Sequence, residues 1–524
     1  MNNLVKDVVI VGGGTAGWMT ASYLQKALQN SVNIRVIETP KIPKIGVGEA
    51  TVPNLQKAFF DYLGLKEEDW MPKCNASFKM AVKFINWKST DKNDHFYHPF
   101  GLLPDCDQIP LSHYWLNNYL SNKTNKAFDY TCFKEPPIMD AKLSPKWLNG
   151  EKSTRYAWHF DAHLVADFLM KFSIKNKNVS RIESKVIAIE KDNKGFIRAL
   201  TLEDGRKILG DLFIDCSGFE GLLINKALEE PFIDMSDQLL CNSAVATSIT
   251  HDDEKYGIEP YTSAIAMNSG WTWKIPMLGR FGTGYVYSDS FSTDDQAVKD
   301  LCKLWNINEN KTTLNKIKFR VGRNRHSWVK NCISIGLSSC FLEPLESTGI
   351  YFIYAAIYHL VKYFPDLNFN PILIDKFNND IAEMFDDTRD FIQSHFYFSP
   401  RMDTEFWKAN KSLKLTDSIL NKVERYKAGL PINQPTTDES NYYGSFEAEF
   451  KNFWTNGSYY CIFSGLGFIP DNSLPLIKYK QKSINQANEI INQVKNKQDQ
   501  LLLTLPSNYD YLCQLHMGKT TILS

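Results

Sequence analysis

Residues 7–29 read DVVIVGGGTAGWMTASYLQKALQ, and this stretch decides the fold. An apolar strand over Val8–Val11 turns through Gly12, Gly14 and Gly17 into a helix running to about Gln29. The G-x-G-x-x-G spacing carries meaning in that context: glycines permit a tight turn and close backbone approach, and the helix N-terminus faces a pyrophosphate. Thr15 and Ala16 lie inside the same turn and belong to the expected cofactor seat. A second strand, NIRVIE (residues 33–38), ends in Glu38, placed to accept hydrogen bonds from a ribose.

Two distant segments repeat the pattern of an apolar strand ending in small residues: LFIDCSG (residues 212–218) and CISIGLSS (residues 332–339), the latter supplying Gly336 and Leu337. A dinucleotide with a bulky tricyclic ring needs several such strand ends around it, so FAD is expected rather than NAD. Between them, residues 185–210 read as hairpins turning at Asn193–Gly195 and Asp204–Gly205. GRFGTG (residues 279–284) is flanked by strand-like aromatic sequence, so no second dinucleotide fingerprint is expected, and reducing equivalents arrive by another route.

The 524 residues suffice for two or three domains and a large enclosed site. Basic and acidic residues balance at 59 each, which points away from nucleic acid or an anionic membrane and toward a small molecule. Ten cysteines without C-x-x-C pairs signal neither a zinc site nor a disulfide framework, so no metal is expected. No leader or membrane-spanning run is visible, and a cytoplasmic location is expected. The polar tract Lys482–Gln500 suits a surface helix.

Four further stretches carry candidate chemistry. In GWTWKIP (residues 270–276) strand alternation puts Trp271, Trp273 and Ile275 on one face, an aromatic stripe of the kind that packs a sheet. ESTGIYFIYAAIYHLVKYF (residues 346–364) reads as a buried helix capped by Ser347 or Thr348, whose free N–H groups attract an anion. In SFKMAVKFINW (residues 77–87) Lys79 alternates with apolar positions and by itself reads as a solvent-facing strand lysine. At helical spacing Tyr442, Phe446, Glu449 and Phe453 share a face.

Taken together these residues resemble the flavin-dependent halogenases, and among them the tryptophan halogenases. GWTWKIP is similar to that family's W-x-W-x-I-P signature, GGGTAGW to its flavin fingerprint, and KIGVGEAT (residues 44–51) to its second flavin loop, which would add Gly46, Val47, Gly48, Glu49 and Ala50 to the FAD site. FLEPLESTGI (residues 341–350) and the stretch from Glu449 to Gly467 also match, so the likeness spans nearly the whole chain. The resemblance implies that reduced FAD and O2 form a flavin hydroperoxide, and that halide attacks it to give hypohalous acid. That acid travels through the protein to an aromatic substrate. It further implies Lys79 and Glu346 as catalytic residues, chloride or bromide at Thr348 and Gly349, and Trp271, Trp273 and Ser347 as the wall of the passage. Tyr442, Tyr443 and Glu449 would hold the amino-acid end of the substrate, and Phe453 would line the same substrate site. Trp454 would stack on the indole, with His98 and Phe100 on its opposite side. Ser458 stands where some tryptophan-specific members have asparagine, which leaves a tryptophan derivative or another indole open as substrate.

The expected fold is therefore mixed α/β: a Rossmann-like FAD-binding body of the aromatic-hydroxylase type over residues 1–363, assembled discontinuously, and a mainly helical substrate-binding region over residues 364–524. The expected activity is regioselective halogenation of free L-tryptophan, leaning toward C7, with a separate NAD(P)H-dependent flavin reductase as partner and homodimer formation left open. An aromatic monooxygenase and a flavin- or indole-binding protein without turnover are the alternatives.

Overall fold

The computed structural model describes residues 3–39, 48–91, 93–433, 450 and 453–517. The residues group by their contacts into two units, each assembled from three stretches of chain. One comprises Met1–Asn75, Phe160–Ser236 and Phe319–Asp386; the other comprises Ala76–His159, Asp237–Lys318 and Asp387–Ser524.

In the first unit the fingerprint strand, Asp7–Val11, lies inside a six-stranded sheet. Asn33–Glu38 and then Val179–Glu183 follow on one side, and Leu212–Asp215, Cys332–Ser334 and Trp328–Val329 on the other. The first five of these strands run parallel; only Trp328–Val329 is antiparallel. Parallel strands must be buried on both faces, which is why DVVIV and LFID read as near-continuous apolar runs. The chain leaves Asp7–Val11 to one side first and returns to its other side later. The strand order therefore reverses beside this strand, and such a reversal opens a crevice at the carboxyl ends of the strands. Helix Thr15–Leu28 packs against helices Ala162–Ser173 and Thr348–Lys362. On another face Val9, Phe213, Leu200 and Leu223 form an apolar core with the antiparallel strands Val186–Lys191 and Ile197–Leu202. The expected hairpin turns are present, with Gly195 and Gly205 at positive φ.

The second unit is built on a seven-stranded sheet in the order Asn315–Lys318, Ser243–Thr250, Arg280–Tyr287, Gly270–Met277, Thr262–Met267, Ala81–Ile85 and His95–Pro99. Its neighbours are antiparallel except for the parallel pair Thr262–Met267 and Ala81–Ile85. GWTWKIP is the fourth of these strands, and GRFGTG lies within the third, consistent with its reading as strand. From Pro371 onward the described chain is helical: Pro371–Phe398, Glu405–Lys411, Asp417–Lys427, Asn456–Gly465, Gln481–Thr504 and Asn508–His516. The polar tract forms the fifth of these helices, seated through Ile484, Ala487 and Leu501. Among the described residues no helix is long and apolar enough to cross a membrane, and no cluster of ligating side chains is arranged for a metal.

Candidate functional site

In the first unit the glycine turn meets the end of the neighbouring strand. Gly12 has φ +117°, and a Cβ there would overlap the Cys216 carbonyl, so two strand ends converge without room for a side chain. A Cβ on Gly13 would overlap the Glu38 carboxylate, whereas the space beside Gly14 is open. The helix that follows has no side-chain cap on its first N–H groups. Gly336 stands against the same helix, where a Cβ would come within 2.9 Å of the Ala16 methyl, and Leu337 beside it is partly exposed. A cradle of uncapped N–H groups, an open approach at Gly14 and an acidic strand end fits the pyrophosphate and ribose of FAD. Gly46 and Val47 lie outside the described residues.

Sequence reasoning missed two supports of this cradle. Arg181, one strand further along the sheet, forms an ion pair with Glu38 and a second with Glu183 at 3.1 Å. Parallel pairing of Arg181 with Val36 sets that reach, and the sequence gives no local sign of it. Asp215 is fully buried and accepts from the Ser217 N–H and hydroxyl (3.0 and 2.6 Å) and from the Leu223 and Ile224 N–H groups (2.7 and 2.9 Å). It thereby fixes the loop that meets Gly12. The D-x-S pattern in LFIDCSG was its available signal.

Glu49 is half-buried, and burial, reinforced by the Asp161 carboxylate, pushes its carboxyl up to about 7. The folded chain therefore holds a proton that the unfolded chain releases near the ordinary glutamate range. Its stabilising contribution is complete below that range and disappears as pH rises through about 7. We expect the melting temperature of flavin-free protein to fall more steeply between pH 5 and 8 than that of Glu49→Gln. Parallel melting curves for the two proteins would refute this.

In the same unit Glu346 and Ser347 are consecutive non-glycine residues in the left-handed region, with φ of 64° and 63°. Each costs of order 1–3 kcal/mol and persists only when its surroundings enforce it. Both are buried, as is Thr348. Ser347 occupies the cap position of helix Thr348–Lys362 but its side chain accepts no capping hydrogen bond, which corrects the expected hydroxyl cap. Capping serines have extended backbones that aim the hydroxyl at the first turn, and the left-handed backbone does not. The space where a Gly349 side chain would stand is open.

In the second unit Lys79 is fully buried, which overturns its reading as a solvent-facing strand lysine. The run from Ser77 changes partners at Met80. Ser77–Lys79 pairs with Ala157–His159, whereas Ala81–Ile85 pairs with two strands of the large sheet. Hydrogen bonds from the Met80 N–H to Pro260 and from the Phe100 N–H to the Met80 carbonyl hold the junction. Alternation counted through that junction assigns the wrong face. The Lys79 Nζ sits 4.9 Å from the centre of the Phe100 ring, a favourable cation–π distance. Lys83, beyond the junction, is half-buried and reaches Asp140 at 3.3 Å.

Phe100 follows the strand that carries His98, and the His98 ring centre is 6.3 Å from that of Trp454, inclined at 48°. Trp454 is stacked on Phe391 at 4.2 Å and 15°, the Phe391 ring lies 5.8 Å from that of His98, and the Trp454 Nε1 donates to the Thr388 hydroxyl at 3.2 Å. Phe453 packs edge-on at 4.8 Å. Thr388 and Phe391 were missed; their i, i+3 spacing in DDTRDFIQSHF was the available signal. Asn456 accepts from the Ile432 N–H at 3.0 Å, and Asn433 donates to the Trp454 carbonyl at 3.2 Å, so residues 432–433 are clasped to residues 454–456. Ser458 lies half-buried on helix Asn456–Gly465. Tyr442, Tyr443 and Glu449 lie outside the described residues.

Trp271 and Trp273 are both buried on one strand with ring centres 6.3 Å apart, and Trp273 covers Gly284 so closely that a Cβ there would overlap its ring. On this strand Lys274 pairs with Glu259 at 2.9 Å.

Comparison with known proteins identifies the family. The family described as tryptophan halogenase matches residues 7–482. The chain belongs to the tryptophan halogenase family. It is 61% identical to the tryptophan 6-halogenase ThaL of Streptomyces albogriseolus, over 98% of this chain and 99% of that one. With the tryptophan 7-halogenase RebH of Lentzea aerocolonigenes the identity is 56%, over 98% of this chain and 100% of the relative. Among solved structures, the tryptophan 6-halogenase of Streptomyces toxytricini superposes with a TM-score of 0.88 at 38% identity, covering 97% of this chain and 99% of that one. A tryptophan halogenase of this family is a flavin-dependent enzyme, and the cofactor implied is FAD.

Proposed function

We propose that this halogenase places chlorine or bromine on a benzenoid carbon of free tryptophan, using FADH2, O2 and halide. A separate NAD(P)H-dependent reductase in the same compartment, the cytoplasm, would supply the reduced flavin. Reduced FAD with O2 and halide supplies an electrophilic halogen as hypohalous acid; the chain's own residues direct it. The observation that carries the reading is a lysine amine, fully buried, over an aromatic ring next to the His98 strand. Burying an amine is costly, and such groups cluster at functional sites. Lys79 binds the oxidised halogen by hydrogen bond or as a chloramine and presents it at one point.

Trp454, pinned by Phe391 and Thr388, forms one wall for the indole, and His98 and Phe100 form the other. For Glu346 we propose the carboxylate that answers the positive charge on the substituted ring, supported by its burial in a backbone that costs free energy. The uncapped N–H groups at Thr348 and Gly349 would seat the halide. Trp271 and Trp273 are read as a wall and not as reacting groups. The relatives' names divide between C6 and C7, so they support the benzenoid ring and leave the carbon to experiment.

Product mass and NMR assignment after incubation with a flavin reductase, NADH, O2 and tryptophan, with and without halide, test the proposal. A halogen at C6 or C7, strictly dependent on halide, is expected. A hydroxylated product formed without halide would make the protein a monooxygenase. Trp454→Ala should weaken tryptophan binding by about 2- to 12-fold, the equivalent of 0.5–1.5 kcal/mol of stacking, and mix the regioisomers. Parental affinity and a parental product ratio would place the indole elsewhere.

A further inference from the structure

The strand that carries Lys79 is tied to its surroundings through one buried imidazole. His159 stands opposite Ser77 in the pair Ser77–Lys79 with Ala157–His159. Its Nδ1 lies 3.2 Å from the Ser77 hydroxyl and its Nε2 2.9 Å from the Thr262 hydroxyl. The Ser77 hydroxyl donates to the Pro276 carbonyl at 2.5 Å, in the strand of the two tryptophans. A hydroxyl has one hydrogen; Ser77 gives it to Pro276, so it must accept from Nδ1–H. Nε2 then carries the lone pair and accepts from Thr262. The result is a single directed chain, Thr262 to His159 to Ser77 to Pro276, that links four strands. All three side chains are buried. Burial, with the nearby Lys79 ammonium adding to it, holds the imidazole well below its ordinary range, so the ring stays neutral and this proton arrangement persists.

We propose that His159 is a positioning residue for Lys79: through Ser77 it locks the short strand against the Trp271–Trp273 strand, and so holds the amine over Phe100. The inference rests on the delivery role proposed for Lys79. A strand of three residues has few ladder bonds of its own, and a lysine side chain has several rotatable bonds. The amine is therefore only as well placed as the Cα that bears it. Misplacement by about 1 Å costs about 10²-fold where a reaction depends on orientation.

The test compares His159→Phe, which keeps a ring and deletes both hydrogen bonds, with His159→Gln, whose amide donates to Ser77 and accepts from Thr262. Flavin reoxidation, halogenated tryptophan and free hypohalous acid trapped by monochlorodimedone are measured in the same samples. For His159→Phe we expect parental reoxidation, a fall of about 10- to 100-fold in product per flavin oxidised, and a matching rise in trapped acid. His159→Gln should restore at least half of the coupling. A merely structural role would lower reoxidation and product together and leave their ratio unchanged, which overturns the proposal, as does parental coupling in His159→Phe. If that variant does not fold, Thr262→Val, which deletes one hydroxyl, is decisive: a several-fold loss of coupling supports the proposal and parental coupling overturns it. Lys79→Ala is run alongside. Product retained in that variant rejects the role of Lys79 itself, whereas product lost there with parental coupling in His159→Phe rejects only the positioning role.

Discussion

Lys79→Ala is expected to lose halogenated tryptophan to background, a fall of at least about 10³-fold, while FAD binding and reoxidation of the reduced flavin continue at the parental rate. The side chain is fully buried and carries a charge, so removing it leaves a small void but relieves the burial of an ammonium. The residues proposed to seat the flavin, Gly12–Gly17 and Glu38, belong to the other unit, so oxidation and halogen transfer should come apart. Glu346→Gln should behave differently, slowing product about 10²- to 10³-fold without abolishing it, because Lys79 still presents the halogen. A folded, flavin-loaded Lys79→Ala protein that halogenates at the parental rate would end the proposed mechanism.

The second large effect is expected at the glycine turn. Gly12→Ala must place a methyl group on the Cys216 carbonyl while holding φ +117°, a region that costs a side chain of order 1–3 kcal/mol before any overlap is counted. Two strand ends must separate to admit it. Flavin affinity should fall by at least about 10- to 100-fold, and the melting temperature should fall with it. Gly14→Ala meets open space and an ordinary extended φ of −79°, so its fold should melt like the parent. Its flavin affinity should nevertheless drop, because the methyl group then stands where the pyrophosphate approaches. Fluorescence titration with FAD and thermal melts of both variants separate steric closure of the turn from loss of room for the cofactor. Parental affinity and melting in Gly12→Ala would show that the convergence at Cys216 is not required.

Much of this fold was legible in short stretches because it repeats over neighbouring residues. NIRVIE forms the strand Asn33–Glu38, the fingerprint helix ends at Leu28, and GWTWKIP is a strand. Periodicity failed where the chain changes partners within a run. Lys79 is one residue from the junction at Met80, and the strand alternation that would expose it belongs to the sheet on the far side. Ser347 failed for a related reason: residue type suggested a cap, but the left-handed backbone imposed by burial redirects the hydroxyl. Arg181 and His159 act through partners at least 82 residues away in the chain, and such pairings leave no mark on local sequence. The resemblance to a family reached Lys79 where the residues alone pointed to solvent.

The central place of Asp7–Val11 in its sheet has a consequence for how the protein is made. One of its two hydrogen-bonded neighbours, Leu212–Asp215, emerges some two hundred residues later, and the next strand out, Cys332–Ser334, later still. Until then, one of the most apolar strands in the chain waits with an edge unpaired, a condition that favours association with other chains. Sheets of such high contact order form slowly because chain closure precedes any gain from pairing. Yield of active enzyme should therefore depend on the pace of translation and the chaperones at hand, and respond more to slower synthesis and cooler growth than to improved cofactor supply.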